Sequence, residues 1–309
     1  MVPARSGVKP WPDLTGRVCV VTGGNRGIGR ATVEALAGAG ATVALLSRFH
    51  ANGVAAAAEI TAATGNPNVR AYPCDLSSFA SIRQCAAALR ADFPALHVLV
   101  NNAGTASRKR KLTEDGFELT FGVNHLGTFL LTNLLLDRLH RGAPSRIVIV
   151  SSEAHQGTRL ELEDLQNEIV YFGLRAYAQS KLCNIYHAHE LHHRLHGTGI
   201  VVNSMHPGFI ATAMVTDYLP LRFLGGPIAR LFGQTPEQGA DSIIWLAASK
   251  EAGYLSGKYI INRKLRSPSA ISTDRVTAQR LWAMSELMTD SRAELPGAAK
   301  VQAAVGEID

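Results

Sequence analysis

Short apolar runs rich in valine, isoleucine and leucine alternate along the chain with longer stretches in which apolar positions recur every third or fourth residue. The first kind reads as strands buried on both faces, the second as helices with one buried side. Strands are expected at 17–22, 41–46, 69–73, 96–100, 146–150, 200–203 and 258–261. Helices are expected at 31–38, 54–63, 77–91, 113–139, from before Tyr177 to 196, and at 236–248, with Ser77 or Ser78 capping the third. Strands joined by helical crossovers form a parallel sheet covered on both faces. The expected fold is therefore α/β: a single doubly wound Rossmann domain with a parallel sheet of about seven strands. Residues 1–13 read as a leader, 14–290 as the domain and 291–309 as a flexible tail. Within the domain, 262–290 reads as a C-terminal extension with an amphipathic helix bearing Leu281, Trp282 and Leu287.

Ligands of such sheets bind beyond the carboxyl ends of the strands. Glycine and polar residues gather at those ends: Gly23, Gly24, Asn25, Arg26, Gly27, Ile28 and Gly29 after the first strand, Ser47 and Arg48 after the second, Asp75 after the third. Asn101, Asn102, Ala103 and Gly104 follow the fourth, Ser151 and Ser152 the fifth, and His206, Pro207 and Gly208 the sixth. A glycine loop between strand and helix lets backbone N–H groups approach a pyrophosphate. Tyr177 and Lys181, four apart, share a helix face. A lysine cation there lowers a phenol pKa from about 10 and suits the pair to proton transfer. A second such pair, Tyr254 and Lys258, runs through Ser256 and Gly257 into an apolar run and reads as a turn entering a strand.

With 309 residues, 46% of them apolar, the chain can bury a large core. The four cysteines form no CxxC pair, which points to a reducing compartment without a metal site. The start lacks the apolar core of a signal peptide and no apolar run reaches about 18 residues, so a cytoplasmic location without a membrane span is expected. Peripheral membrane contact and self-association stay open; Phe121, Leu130 and Leu134 suit either a subunit contact or the core. The net charge of +6 includes Arg108, Lys109, Arg110 and Lys111, and Arg263, Lys264 and Arg266. No aromatic-interleaved basic stripe accompanies it, so nucleic acid is not expected as a partner, whereas a polyanionic cofactor exploits a positive field. His187, His189, His192, His193 and His196 include metal-like spacings, but no carboxylate or cysteine set completes a site; they read as a solvated or subunit-facing helix edge.

Together these residues resemble the short-chain dehydrogenase/reductase family over about residues 13–290. The resemblance is nearest to its retinol dehydrogenase-like branch: Gly122, Val123, Asn124, His125, Leu126 and Gly127, the long gap from Ser152 to Tyr177, and Ser256, Gly257, Lys258 and Tyr259 look alike. The apolar N-terminal anchor of that branch's animal members is missing. The resemblance implies a catalytic set of Asn124, Ser152, Tyr177 and Lys181, with Ser151 as the alternative serine and a purely structural role as the alternative for Asn124. It implies cofactor contacts at Gly23, Asn25, Arg26, Gly27, Ile28, Gly29, Asp75, Leu76, Asn102, Ala103, Gly104, Tyr177, Lys181, Pro207, Gly208, Ile210 and Thr212. Tyr177 would pass a proton to a carbonyl oxygen held by Ser152. Lys181 would tune Tyr177 and bind the nicotinamide ribose, and Asn124 would hold a relay water.

An acid after the second strand favours NAD; this chain has Arg48 there, which favours a 2′-phosphate and hence NADP(H), the alternative being a solvated helix start. The apolar stretch 209–233 reads as a substrate lid, or as packing against the body of the domain, and Tyr171, Phe172 and Leu174 could line the same pocket. The expected function is an NADP(H)-dependent oxidoreductase of a lipophilic aldehyde or ketone and its alcohol. The alternatives are a narrow-specificity steroid, polyketide or other natural-product ketoreductase, and a dinucleotide sensor without catalysis.

Overall fold

The computed structural model describes residues 11–208 and 235–291. Its strands are β1 (Val18–Thr22), β2 (Thr42–Ser47), β3 (Val69–Pro73), β4 (Val98–Asn101), β5 (Ser145–Val150), β6 (Ile200–His206), β7 (Lys258–Ile261) and β8 (Lys264–Arg266). They form one sheet in the order β3-β2-β1-β4-β5-β6-β7-β8. β7 and β8 pair antiparallel and every other pair is parallel. The eighth strand exceeds the expected seven: its three residues are all exposed, so no buried run marks it. Strand order reverses at β1, whose neighbours are β2 and β4, and this opens a crevice at their carboxyl ends.

Helices α1 (Gly27–Gly38), α2 (His50–Thr64) and α7 (Pro236–Ala248) cover one face, packing Val33, Leu36, Ile60 and Ile243 onto Val21, Val43, Leu45 and Val100. The alternate strand residues, Val20, Leu46, Leu99 and Ile147, face α3 (Phe79–Asp92), α5 (Thr128–Arg141) and α6 (Gly173–Arg194). The period of two in a strand thus divides each apolar run between two cores. Ser78, not Ser77, caps α3, accepting from the Ser81 N–H.

The helix expected over 113–139 starts later. Leu112 bridges to Glu118, the Thr113 N–H donates to the Phe117 carbonyl, and α4 begins at Leu119 (Leu119–Phe121). Glu118, fully buried, caps it by accepting from the Thr120 and Phe121 N–H groups at 2.9 and 2.7 Å. A π-helical turn, Gly122–Gly127, then leads into α5. The stretch Leu119–Arg141 is long and apolar enough to cross a membrane, but 83% of its apolar window is buried inside the domain, where Phe121 and Leu130 belong to the core.

The last helix, α8 (Arg275–Thr289), lies on α6 and the π-turn, burying Ala278, Leu281 and Trp282. Leu287 is 84% exposed and does not belong to its buried side. The histidine edge needs a similar correction. His193 and His196 are exposed, but His187 follows Cys183 and precedes Leu191 on the inner face of α6 and is fully buried against Trp282, ring centroids 5.8 Å apart. His125 lies in the same layer, its Nε2 2.9 Å from Ser285 Oγ.

Candidate active site

The loop from β1 to α1 is shaped by what it cannot accommodate. A Cβ at Gly29 would sit 2.2 Å from the Gly23 carbonyl oxygen and 2.6 Å from Asn102 Nδ2, and Gly27 has φ +56°. No side chain caps α1 and no acid occupies its first turn, so its leading N–H groups face the loop's opening with Arg26 at the N-cap. Thr22 fastens the loop to the next crossover: its hydroxyl accepts from the Asn102 and Ala103 N–H groups, both at 2.9 Å, while Asn102 Nδ2 donates to the Thr22 carbonyl. The Gly24 N–H donates to the Leu46 carbonyl, tying the loop to the end of β2. Beyond that end Ser47 is buried and Arg48 exposed, its guanidinium 4.5 Å from the centroid of the Phe49 ring. Asp75 accepts from the Ser77 N–H and hydroxyl at 2.9 and 2.7 Å, and Leu76 is buried against Gly127. A bare backbone cradle, an uncapped helix N-terminus and a neighbouring cation fit a dinucleotide. Pro207 and Gly208 follow β6; Ile210, Thr212 and the expected lid at 209–233 lie outside the described residues.

On the other side of the crevice, α6 brings Tyr177 and Lys181 to the ends of β4 and β5. The Lys181 ammonium is buried, donates to the Val150 carbonyl at 3.1 Å and lies 5.7 Å from the Tyr177 ring centroid. Burial without a carboxylate partner pushes it down to about 8. Tyr177 departs from expectation. Burial raises its phenol above the ordinary value and a hydrogen bond with Ser152 pulls the other way.

The two serines have different surroundings. Ser151 is buried and its hydroxyl donates to the Lys181 carbonyl at 2.7 Å, whereas Ser152 is half-buried and its hydroxyl accepts from the Ala154 N–H at 3.2 Å. Asn124, on the π-turn, is a strut: its Oδ1 accepts from the Thr105 N–H at 2.7 Å, and its Nδ2 donates to the Thr105 carbonyl and Ser180 Oγ, each at 2.9 Å. Gly104 closes the group, since a Cβ there would lie 3.3 Å from both Asn124 Oδ1 and Lys181 Nζ. The rival pair separates: Tyr254 ends a 3₁₀ turn (Glu251–Tyr254) at 90% exposure, and Lys258 opens β7.

Beside Tyr177 lies a cleft of about 570 Å³ whose wall includes Ala154, Arg159, Glu161, Leu174 and Arg175. Of the three insertion residues expected there, only Leu174 lines it. Phe172 is exposed, and the Tyr171 hydroxyl bonds instead to the Ser107 carbonyl and Glu118. His155 escapes a reading of the sequence, and His206 is marked there only by its place at the end of the sixth strand; the rings of both touch the main chain around Ser152. The three-residue spacing from Ser152 to His155 is the one signal available, and it has meaning only once a 3₁₀ turn (Glu153–His155) is known.

Comparison with known proteins places these features among relatives. A family model described as short chain dehydrogenase matches residues 17–220. Retinol dehydrogenase 11 of Homo sapiens is 42% identical over 273 residues, covering 88% of this chain and 86% of the relative. Polyprenol dehydrogenase of Danio rerio is 39% identical over 281 residues, covering 89% and 87%. Among solved structures, an uncharacterized protein from Mycobacterium paratuberculosis superposes with a TM-score of 0.75 at 33% identity, covering 93% of this chain and 97% of the other. The Pseudomonas aeruginosa RhlG/NADP active-site complex does so with a TM-score of 0.66 at 29% identity, covering 82% and 97%.

Proposed function

The chain belongs to the short-chain dehydrogenase family and is an oxidoreductase of alcohol and carbonyl groups, and on that premise we propose that it uses NADP(H) to interconvert a lipophilic aldehyde or ketone and its alcohol. The observation that carries the cofactor choice is Arg48: a guanidinium, not a carboxylate, leaves the end of β2 beside the glycine loop, steadied over Phe49. A planar guanidinium pairs with a 2′-phosphate, and an acid there would repel it. Relatives named for retinol and polyprenol support a lipophilic substrate. Arg159 and Arg175 on the cleft wall favour a second reading, a natural-product carbonyl with a polar or acidic end.

The residues act as follows. The glycine loop, Arg26, Arg48, Asp75 and Asn102 would hold the dinucleotide, which supplies or takes up the hydride when bound. Tyr177 gives a proton to the substrate oxygen in reduction and takes it back in oxidation, while Ser152 hydrogen-bonds that oxygen as charge develops. Of the three donors on the Lys181 ammonium, one is spent on Val150, leaving two for the ribose and the phenol's surroundings. Asn124 holds the Gly104 turn against α6; with both ends of its amide engaged, its main chain is the better candidate to bind a relay water.

The test is single-turnover oxidation of NADPH and NADH across retinal, steroid ketone, aromatic ketone and quinone panels, with Tyr177→Phe as control. Turnover of an apolar carbonyl with NADPH, lost in the control, supports the reading. Tight NADPH binding without turnover of any compound would replace it with a dinucleotide sensor.

A further inference from the structure

We infer that His155 and His206 are positioning residues that clamp the peptide unit joining Ser152 to Glu153, and so set where the Ser152 hydroxyl points. This rests on the proposed role of Ser152. The carbonyl of that peptide unit lies 2.6 Å from His155 Nδ1, and its N–H donates to His206 Nδ1 at 3.3 Å. One unit is therefore gripped at both polar ends by imidazole rings from two different places: the 3₁₀ turn after β5 and the end of β6.

The partners dictate the tautomers. The Ser269 N–H donates to His155 Nε2 at 3.0 Å, and a main-chain N–H can only donate. Nε2 of His155 is therefore bare, and its ring proton sits on Nδ1, pointed at the Ser152 carbonyl. His206 is the reverse: Nδ1 accepts from Glu153, so the proton is on Nε2, 3.7 Å from the Glu153 carboxylate. His155 is completely buried and its ring meets Tyr259 edge-on, with centroids 5.2 Å apart. The ring has no room to swing away from the bond. Ser152 contributes its own restraint, since its hydroxyl accepts from the Ala154 N–H at 3.2 Å. The clamp also ties the active serine to the segment leading into α8, because Ser269 belongs to that segment.

Two amide substitutions divide the functions of the ring. His155→Asn keeps a donor at the Nδ1 position; His155→Gln keeps an acceptor toward Ser269 and loses the donor to Ser152. Turnover is expected to fall about 10–100-fold in His155→Gln and His155→Leu, the cost of a small misplacement at the reacting centre, and to stay within about fivefold of wild type in His155→Asn. Dinucleotide affinity and melting temperature of His155→Asn and His155→Gln should match each other. Added to Ser152→Ala, His155→Leu should cost nothing further in single-turnover rate, because it acts only through that serine. Equal activity of the Asn and Gln variants, or a full additive loss in the double variant, would overturn the clamp. Ser152→Ala and Tyr177→Phe in the same series guard the premise: if both turn over normally, the reading of the site fails, whereas their loss with intact His155 variants sinks only this inference.

Discussion

The Lys181 ammonium lies over the Tyr177 ring and hydrogen-bonds to the Val150 carbonyl, with burial as the only cause acting on its basicity. Carbonyl reduction should therefore fall as pH rises through about 8, where the folded protein's Lys181 gives up its proton. Stability runs the other way: between about 8 and 10.5 the unfolded chain holds a proton that the folded chain lacks, so stability rises with pH across that window. A pH profile of kcat/KM and of melting temperature checks both signs. Lys181→Arg, charged throughout, should lose the alkaline limb in whatever activity it retains.

Ser151 and Ser152 separate by the kind of damage their loss causes. Ser152→Ala should lower kcat about 100–1,000-fold with little effect on folding, as expected for a donor aimed at a developing oxyanion. Ser151→Ala removes a buried hydroxyl from the Lys181 carbonyl and should cost about 1–3 kcal/mol of stability while chemistry persists. Paired kinetics and urea melts distinguish them; the opposite assignment would show the opposite pattern.

Gly29→Ala places a methyl group 2.2 Å from the Gly23 oxygen, so loop or helix must shift. Dinucleotide protection against thermal unfolding should vanish. Gly65→Ala is the control. That glycine ends α2 at φ +73° with open space around it, and its replacement should cost about 1 kcal/mol or more of stability without touching dinucleotide affinity.

Arg48→Ala should weaken NADPH binding about 10–100-fold, the worth of a charge-assisted hydrogen bond, and leave NADH binding nearly unchanged. Arg48→Asp should go further and invert the preference. Titration of both dinucleotides by fluorescence measures the ratio; an unaltered preference for NADPH would remove Arg48 from the site.

Most of the strand and helix order was legible because a doubly wound sheet writes itself as apolar runs split between two cores, as at Val20 and Val21. Local chemistry at strand ends was legible too, since Gly27 and Gly29 have few other uses in that setting. What escaped depends on three-dimensional company. The three residues of β8 are exposed, so only pairing with β7 defines the strand. The π-turn and the Glu118 cap replace the expected start of one long helix because a buried carboxylate finds two N–H groups there. The direction of the Tyr177 shift depends on burial, which spacing does not encode. His187 reads as part of a polar edge until α8 covers it, and His155 meets the Ser152 carbonyl through a 3₁₀ turn, with its tautomer set by Ser269, 114 positions away.

The layer of α8 over the π-turn has a consequence for the birth of the chain. His125 is synthesised 160 residues before its partner Ser285. At about 5–20 residues per second, that interval is roughly 8–32 s. Throughout it the rings of His125 and Phe129, later joined by His187, lack the Trp282 cover, so the half of the protein made first emerges with an apolar face open to chaperones. Closure of that layer, between Phe129 on α5 and His187 on α6, thus waits on α8, the last of the described helices.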